Sequence, residues 1–249
     1  MLPRKTPLPM GPTRTALITG STAGIGHAIA LDLARRGYRI VLNYHKDDAR
    51  AQSALQEVHD LGATALLVRA DVTSPDEATA MVEQAEHEAA VDLLVNNVGT
   101  FHFKPFLETT PQEWDTVLRS SLLAAVHCSR ALLPHMRSRS AGHIVNVASL
   151  NAGVLRAKPM TLPYAIAKAG IVLLTRTLAA TEGIHGIRVN AVSPGFVDGG
   201  AFPPKNLGHI PLGRLASGQE IAEAIAYLDS AAAAYVTGAD LDIHGGAFL

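Results

Sequence analysis

The chain has 249 residues and a net charge of −1, from 21 basic and 22 acidic side chains, and 48% of its residues are hydrophobic. That hydrophobic fraction supplies one large core, and the balanced charge without a long basic stretch excludes a nucleic-acid or anionic-membrane surface. A single cysteine, Cys128, excludes an internal disulfide, and its apolar helical surroundings in the sequence indicate a core or interface thiol. We therefore expect a small-molecule ligand.

The first 13 residues contain four prolines and two basic residues and lack the apolar run that a signal peptide requires. We expect residues 1–13 to form a flexible arm, followed by one domain over residues 14–249 of a cytoplasmic protein. No apolar stretch reaches the roughly 18 residues expected of a membrane span, so we expect no membrane association.

Seven short apolar runs predict β-strands, and a helical pattern separates each successive pair. The predicted strands are Ala16–Thr19, Arg39–Asn43, Ala65–Arg69, Leu93–Asn96, His143–Val147, Arg188–Val192 and Leu241–Ile243. This alternation predicts a single α/β domain with a seven-stranded parallel, doubly wound sheet and helices on both faces. Ligands of such sheets bind at the carboxyl ends of the strands, near the point where the strand order reverses.

A glycine-rich turn follows the first predicted strand. The segment Thr19–Gly26 reads T-G-S-T-A-G-I-G and leads into a helical pattern. Glycines at such a place let the backbone approach a pyrophosphate at the helix N-terminus, where unpaired N–H groups are exposed. The spacing G-x-x-x-G-x-G is not the commonest dinucleotide fingerprint, so the turn alone is also compatible with a tight structural turn.

Tyr164 and Lys168 lie four residues apart, which places them on one face of a helix predicted from Pro163 to Ala180. A tyrosine is a poor acid or base near neutral pH unless a neighbouring cation stabilises its phenolate, and Lys168 supplies that cation. Ser149 directly follows the fifth predicted strand. The Y-x-x-x-K spacing alone occurs by chance in many helices, so its meaning depends on the other motifs.

With the glycine turn, Ser149, Tyr164 and Lys168 in this order, the chain from Thr15 onward resembles a classical short-chain dehydrogenase/reductase. The resemblance implies a Rossmann fold and a nicotinamide cofactor. It implies that Tyr164 protonates a carbonyl oxygen as hydride arrives from the nicotinamide, that Ser149 hydrogen-bonds the same oxygen, and that Lys168 also holds the ribose hydroxyls. Donors would then lie where negative charge develops.

Further elements extend the resemblance to the rest of the cofactor. Asn96–Gly99 resembles the family's Asn-Asn-Ala-Gly element, Asp71 its adenine-binding acid, and Pro194-Gly195 its carboxamide-binding backbone; each is otherwise a common strand-end residue type. The expected cofactor-binding residues are Gly20, Ser21, Thr22, Gly24, Ile25, Gly26, Asn43, Tyr44, His45, Lys46, Asp71, Val72, Asn97, Val98, Gly99, Tyr164, Lys168, Pro194, Gly195 and Val197.

Two positions depart from the family pattern. Ser121 occupies the place of an asparagine that holds a water connecting the lysine to solvent, so we count Ser121 with the catalytic residues. A serine hydroxyl has a shorter reach than a carboxamide. Gly199 stands where many relatives carry a threonine that contacts the cofactor. These departures affect the rate and the cofactor affinity rather than the type of reaction.

The end of the second strand decides between NADP and NAD. Asn43, Tyr44 and His45 are not acidic, and Lys46 with His45 is suited to a 2′-phosphate, so we expect NADP. NAD stays open, because Asp47 lies near the spacing at which an acid binds the ribose 2′-hydroxyl. The eleven histidines show no metal-ligand spacing beside a carboxylate set, and we expect no metal site.

Three irregular segments surround the expected site. We interpret the loop Pro194–Ser217 as a substrate lid or a mobile surface loop. The aromatic residues of Thr100–Thr110 are expected to form either a pocket wall or part of the core. Between Ser149 and Tyr164, a segment with Arg156 and Lys158 is about two residues longer than is usual in the family, which the resemblance places at the pocket rim.

Among relatives the chain most resembles 3-oxoacyl-[acyl-carrier-protein] reductases. We therefore expect a reductase of a small carbonyl or acyl-thioester substrate, although fold alone does not define a substrate. Alternatives are a sugar, polyol or small-ketone dehydrogenase, a pteridine reductase, or a non-catalytic nucleotide-binding redox sensor. The closing strand resembles one that packs against a neighbouring subunit, which implies a homotetramer or homodimer.

Overall fold

The computed structural model describes residues 13–154, 156–200 and 207–248; the predicted N-terminal arm, apart from its last residue, lies outside them. The strands are β1 (Thr15–Ile18), β2 (Arg39–Tyr44), β3 (Ala65–Arg69), β4 (Val91–Asn96), β5 (Gly142–Val147), β6 (Ile187–Pro194) and β7 (Asp240–Ile243). The α-helices are α1 (Gly24–Arg35), α2 (Asp48–Asp60), α3 (Pro75–Glu88), α4 (Pro111–Leu118), α5 (Ala124–Ser138), α6 (Leu162–Glu182) and α7 (Gly218–Leu228).

All seven strands form one parallel sheet in the order β3-β2-β1-β4-β5-β6-β7. This confirms the predicted doubly wound sheet, and each predicted strand overlaps an observed one. The strand order reverses between β1 and β4, which opens a crevice at their carboxyl ends. The glycine turn follows β1 and the segment Asn97–Gly99 follows β4, so both lie at that crevice.

Side chains alternate along the strands and build one apolar layer on each face of the sheet. Ile18 packs in the layer that contains Leu33 of α1, whereas its neighbour Leu17 packs in the layer that contains Met81 of α3 and Leu132 of α5. All five side chains are buried. Burial on both faces explains why the strands read as continuous apolar runs rather than as alternating ones.

The helices α4 and α5 are joined without a break by one turn of π-helix, Arg119–Leu123. A capping box between Thr110 and Glu113 fixes the start of α4. A π-turn displaces the residues of a helix locally and is frequent at functional sites. Ser121 lies within this turn, beside the crevice.

The expectation that no segment is apolar enough to span a membrane is wrong within the described residues. The helical segment Leu162–His185 has 24 residues, and an 18-residue window within it has a mean hydropathy of 1.2, which satisfies the length and composition of a span. Alanines raise the average while Lys168, Arg176 and Glu182 interrupt the apolar run. In the fold α6 packs on β5 and β6 with Ile171 buried, so it is a core helix of the domain.

A buried ionic cluster lies at the opposite, amino-terminal ends of the strands. The Asp229 carboxylate follows α7; its Oδ1 lies 2.9 Å from Nδ1 of His143, and its Oδ2 lies 2.7 Å from Nη1 of Arg14. The Tyr38 hydroxyl donates to the same carboxylate. Burial acts to raise the pKa of Asp229, but the hydrogen bonds from His143 and Tyr38 hold it below its ordinary value.

Candidate active site

The glycine turn forms a close-fitting cradle at the start of α1. Gly20 and Gly24 have φ angles of +60° and +54°, which favour glycine. A Cβ at Gly26 would lie 2.6 Å from Nδ2 of Asn97, so only glycine lets α1 approach the end of β4 this closely. The residue before α1, Ala23, provides no side-chain cap. The first N–H groups of the helix are therefore available to an anion.

Buried polar residues hold this cradle against the sheet. Thr19 Oγ1 accepts from the backbone N–H groups of Asn97 and Val98 at 2.9 and 3.2 Å, and Asn97 Nδ2 donates to the Thr19 carbonyl at 3.0 Å. Asn96 donates to Asn146 Oδ1 at 2.8 Å and so joins β4 to β5. Asn96 and Asn97 together thus fix the shape of the crevice.

A cavity of about 360 Å³ beside the cradle brings most of the residues predicted for the adenosine half together. It is lined by Gly20, Asn43, Tyr44, His45, Lys46, Ala70, Asp71, Val72, Thr73, Val98, Asp115, Thr116, Arg119 and Ser120. The residues from α4 and the π-turn were not predicted, because they reach the cavity only through tertiary packing. No local motif in the sequence identifies them.

Asn43 at the end of β2 and Ser21 in the glycine turn serve the scaffold. Asn43 is 2% exposed; its Oδ1 accepts from the Gly20 N–H at 3.1 Å and its Nδ2 donates to the Ala70 carbonyl at 3.1 Å. Ser21 is fully buried, and its hydroxyl accepts from the Asn43 N–H. Both side chains hold the turn, Asn43 also lines the adenosine cavity, and their contacts with the cofactor stay a prediction.

The structure separates the two candidates for the ribose 2′-position. Lys46 is exposed and lines the adenosine cavity. Asp47 is the N-cap of α2, accepts from the Arg50 N–H at 3.0 Å, and is absent from the residues lining that cavity. Asp71 lines the cavity with its Oδ1 held by Thr73; burial acts to raise its pKa, but the Thr73 hydrogen bonds lower it below its ordinary value.

A second, larger cavity of about 1270 Å³ is lined by three of the four predicted catalytic residues and by many of the predicted cofactor-binding residues. Among its lining residues are Gly24, Ile25, Asn97, Gly99, Ser149, Tyr164, Lys168, Pro194, Gly195 and Val197. Phe101 and Phe103 also line it, so these two aromatic residues of Thr100–Thr110 form pocket wall. Phe106 instead packs on Trp114 and is 60% exposed.

Burial controls the proton affinities of the catalytic pair. It raises the pKa of Tyr164 to about 12, although the hydrogen bond with Ser149 acts to lower it. It lowers the pKa of Lys168 to about 8. The Lys168 ammonium donates to the Val147 carbonyl at 2.6 Å and lies 5.6 Å from the centre of the Tyr164 ring. Burial thus outweighs the Ser149 hydrogen bond in setting the pKa of the phenol, and stabilisation of its phenolate by Lys168 stays a prediction.

Ser121 lies beside the pair without lining the cavity. It is 1% exposed; its hydroxyl donates to the Thr100 carbonyl at 2.9 Å and accepts from the Thr100 N–H at 3.1 Å. A Cβ at Gly99 would lie 3.1 Å from Ser121 Oγ and 3.4 Å from Lys168 Nζ. The serine thus fastens the loop after β4, and its part in proton resupply stays a prediction.

The loop after β6 accounts for the second departure. Gly199 has a φ of +72°, a conformation that a threonine rarely adopts, so the backbone path here differs from one that would carry threonine. A Cβ at Gly195 would lie 2.7 Å from Cβ of His244, which explains glycine at that position. Of the predicted lid, residues 201–206 lie outside the described residues.

Nearly the whole chain is similar to known proteins. Residues 20–247 match a family model described as enoyl-(acyl carrier protein) reductase, and a 3-oxoacyl-[acyl-carrier-protein] reductase from Staphylococcus aureus is 32% identical over 245 residues, covering 95% of this chain and 99% of that protein. The chain belongs to the short-chain dehydrogenase/reductase family. Membership implies an NAD(P) cofactor and small carbonyl substrates.

Other members of the family differ in what they act on. A cis-4-hydroxycyclohexanecarboxylate dehydrogenase from Sinomonas cyclohexanicum is 39% identical over 242 residues, covering 94% of this chain and 96% of that protein. The crystal structure of a short-chain type dehydrogenase/reductase from Mycobacterium marinum superposes with a TM-score of 0.87 at 30% identity and covers 94% of both chains. These likenesses establish an oxidoreductase and leave its substrate to be inferred from the site.

Proposed function

We propose that this protein is an NADPH-dependent reductase that converts a carbonyl compound to a secondary alcohol. The proposal depends on one observation: Ser149, Tyr164 and Lys168 line a single cavity together with the glycine cradle at the start of α1. The cradle fits a dinucleotide, because Gly26 has no room for a side chain and the first turn of α1 has no side-chain cap. When bound, the cofactor supplies the hydride.

The electrostatics of the site suit proton donation by Tyr164. With a pKa of about 12, the phenol keeps its proton at neutral pH. An alkoxide forming on the substrate oxygen is a stronger base than a phenolate, so it takes that proton. Ser149 donates a hydrogen bond to the same oxygen. The nearby Lys168 ammonium, itself buried, stabilises the phenolate that is left.

The adenosine cavity favours NADPH over NADH. Lys46 lines it from an exposed position, and no acid at the end of β2 lines it to bind a free 2′-hydroxyl. Of the described acids of this cavity, Asp71 follows β3 and Asp115 lies within α4. We assign the 2′-phosphate to Lys46, with His45 beside it in the chain.

Two substrate classes fit the larger cavity. The first is the 3-oxoacyl thioesters, because Phe101, Phe103, Val154 and Ile166 provide an apolar wall for an acyl chain and a 32% identical relative is named for this reaction. The second is oxo acids or the corresponding hydroxy acids. The 39% identical relative is named for a hydroxy acid, and basic residues line the same cavity.

The test is a screen of NADPH and NADH oxidation, followed by the absorbance of the reduced cofactor. The panel contains an acetoacetyl thioester, a crotonyl thioester as a C=C control, 4-oxocyclohexanecarboxylate, a diketone and a sugar. NADPH-dependent turnover of a ketone without turnover of the crotonyl thioester supports the proposal. Tight NADPH binding without turnover of any member would support a redox sensor instead.

We further propose a cytoplasmic homotetramer or homodimer. Burial raises the pKa of the Cys128 thiol to about 12, so the single cysteine is an unreactive core group of a kind common in reducing compartments. Two apolar side chains, Leu123 just before α5 and Leu173 on α6, are exposed, as expected of a subunit contact. Light scattering across a range of protein concentrations measures the assembly directly, and a monomer at every concentration would contradict it.

A further inference from the structure

The larger cavity has an excess of positive charge at the end away from the adenosine cavity. Arg156 and Lys158, from the segment between β5 and α6, both line it. Asp198 is the one carboxylate among its described lining residues, and its Oδ1 accepts from the Gly199 N–H. Besides Arg35 of α1, an anion in this cavity therefore meets two cations, Arg156 and Lys158, that the catalytic step does not use.

The two cations differ in how they are held. Nη1 of Arg156 donates to the Phe248 carbonyl at 2.7 Å, and the Phe248 ring stacks on His209 at 5.3 Å, so this guanidinium is anchored by the C-terminal residues. Lys158 is half-buried, and no carboxylate of the described residues forms an ion pair with it. Lys104, by contrast, is paired with Glu113. Lys158 is thus a partly desolvated ammonium available to a ligand.

The start of α6 adds to this potential. Its N-cap residue, Thr161, makes no side-chain capping bond, and the first turn contains no acid. Thr161 and Leu162 both line the cavity. The positive end of a 21-residue helix therefore lies at the same part of the site as Lys158, which strengthens the attraction for a negative group.

We propose that Lys158 determines substrate specificity by binding a carboxylate, with Arg156 as a second cation at the same part of the cavity. The preferred substrates are then oxo acids whose apolar body lies along Phe101 and Phe103, between the reacting carbonyl and the carboxylate. This inference rests on the proposed reductase function and chooses between its two substrate classes.

The experiment compares matched substrates on wild type and three variants. The substrate pair is 4-oxocyclohexanecarboxylate and its methyl ester, which differ at the distal group by the negative charge and by one methyl group. The variants are Lys158→Met, Lys158→Glu and, as the matched control with an already paired ammonium, Lys104→Met. A hydrogen bond to a charged group predicts that Lys158→Met lowers kcat/KM for the acid about 10- to 100-fold, mainly through KM.

The same change should leave kcat/KM for the methyl ester and the Kd of NADPH nearly unaltered, as should Lys104→Met for both substrates. Lys158→Glu should reject the acid more strongly and accept 4-aminocyclohexanone better than wild type does. Equal losses for acid and ester, or a wild type that does not prefer the acid, would overturn the inference. Failure to reduce any ketone would instead contradict the proposed function itself.

Discussion

Replacing Lys168 by methionine should stabilise the fold while removing turnover. The ammonium is buried and its pKa falls from 10.5 to about 8, which corresponds to about 3 kcal/mol of burial cost near neutral pH at about 1.4 kcal/mol per unit. Methionine has a similar length and no charge to desolvate. It loses the charge-assisted hydrogen bond to the Val147 carbonyl, worth about 1.5 to 3 kcal/mol, so a net gain of at most about 1.5 kcal/mol remains.

The pH dependence isolates the charge from that hydrogen bond. Because the folded-state pKa is the lower one, the unfolded chain binds more protons between about pH 8 and 10.5, and wild type gains stability as the pH rises through this window. The advantage of Lys168→Met should shrink by about 2 kcal/mol between about pH 7 and 9.5. Urea unfolding at both pH values measures it, with Lys104→Met as control. A Lys168→Met effect independent of pH would refute the burial cost.

Three other predictions concern separate parts of the molecule. Lys46→Ala should weaken NADPH binding by about 1 to 3 kcal/mol with little effect on NADH, measured by fluorescence titration; equal losses for the two cofactors would remove the proposed 2′-phosphate contact. Ser121→Asn should lower both Tm and kcat, because the buried hydroxyl hydrogen-bonds Thr100 and a larger side chain at this place costs about 1 to 3 kcal/mol. Thermal melts and kcat–pH profiles measure both effects, and a variant that is faster and equally stable would contradict this. Asp229→Ala should cost about 1 to 3 kcal/mol in urea unfolding, since it leaves the buried His143 without its hydrogen-bond partner, and an unchanged midpoint would contradict it.

The fold was predictable because each part of it is signalled locally. Strands buried on both faces read as apolar runs, and the turn Thr19–Gly26 must be rich in glycine because α1 packs on the end of β4. The catalytic pair was predictable for a similar reason, since Tyr164 and Lys168 share one face of one helix. These features depend on residues close together in the sequence.

The remaining features depend on contacts between distant residues. Arg119 reaches the adenosine cavity only because α4 crosses it, and Asp229 meets Arg14 across 215 positions of sequence. Asn43 has the residue type and position of a cofactor contact, but its side chain is buried and hydrogen-bonds the glycine turn. The high pKa of Tyr164 follows from its burial, which the Tyr-Lys spacing in the sequence does not reveal. No local pattern carries this information.

Direct hydride transfer with proton donation by Tyr164 is best tested with NADPH deuterated at the nicotinamide carbon that donates hydride. The ketone that turns over fastest is reduced by wild type and by Tyr164→Phe, and mass spectrometry of the alcohol counts the deuterium gained. Wild type should place one deuterium in each product molecule, while Tyr164→Phe should bind NADPH normally and turn over at least about 100-fold more slowly, the usual loss when a general acid is removed. Unlabelled alcohol from wild type, or an undiminished rate in Tyr164→Phe, would contradict the proposed mechanism.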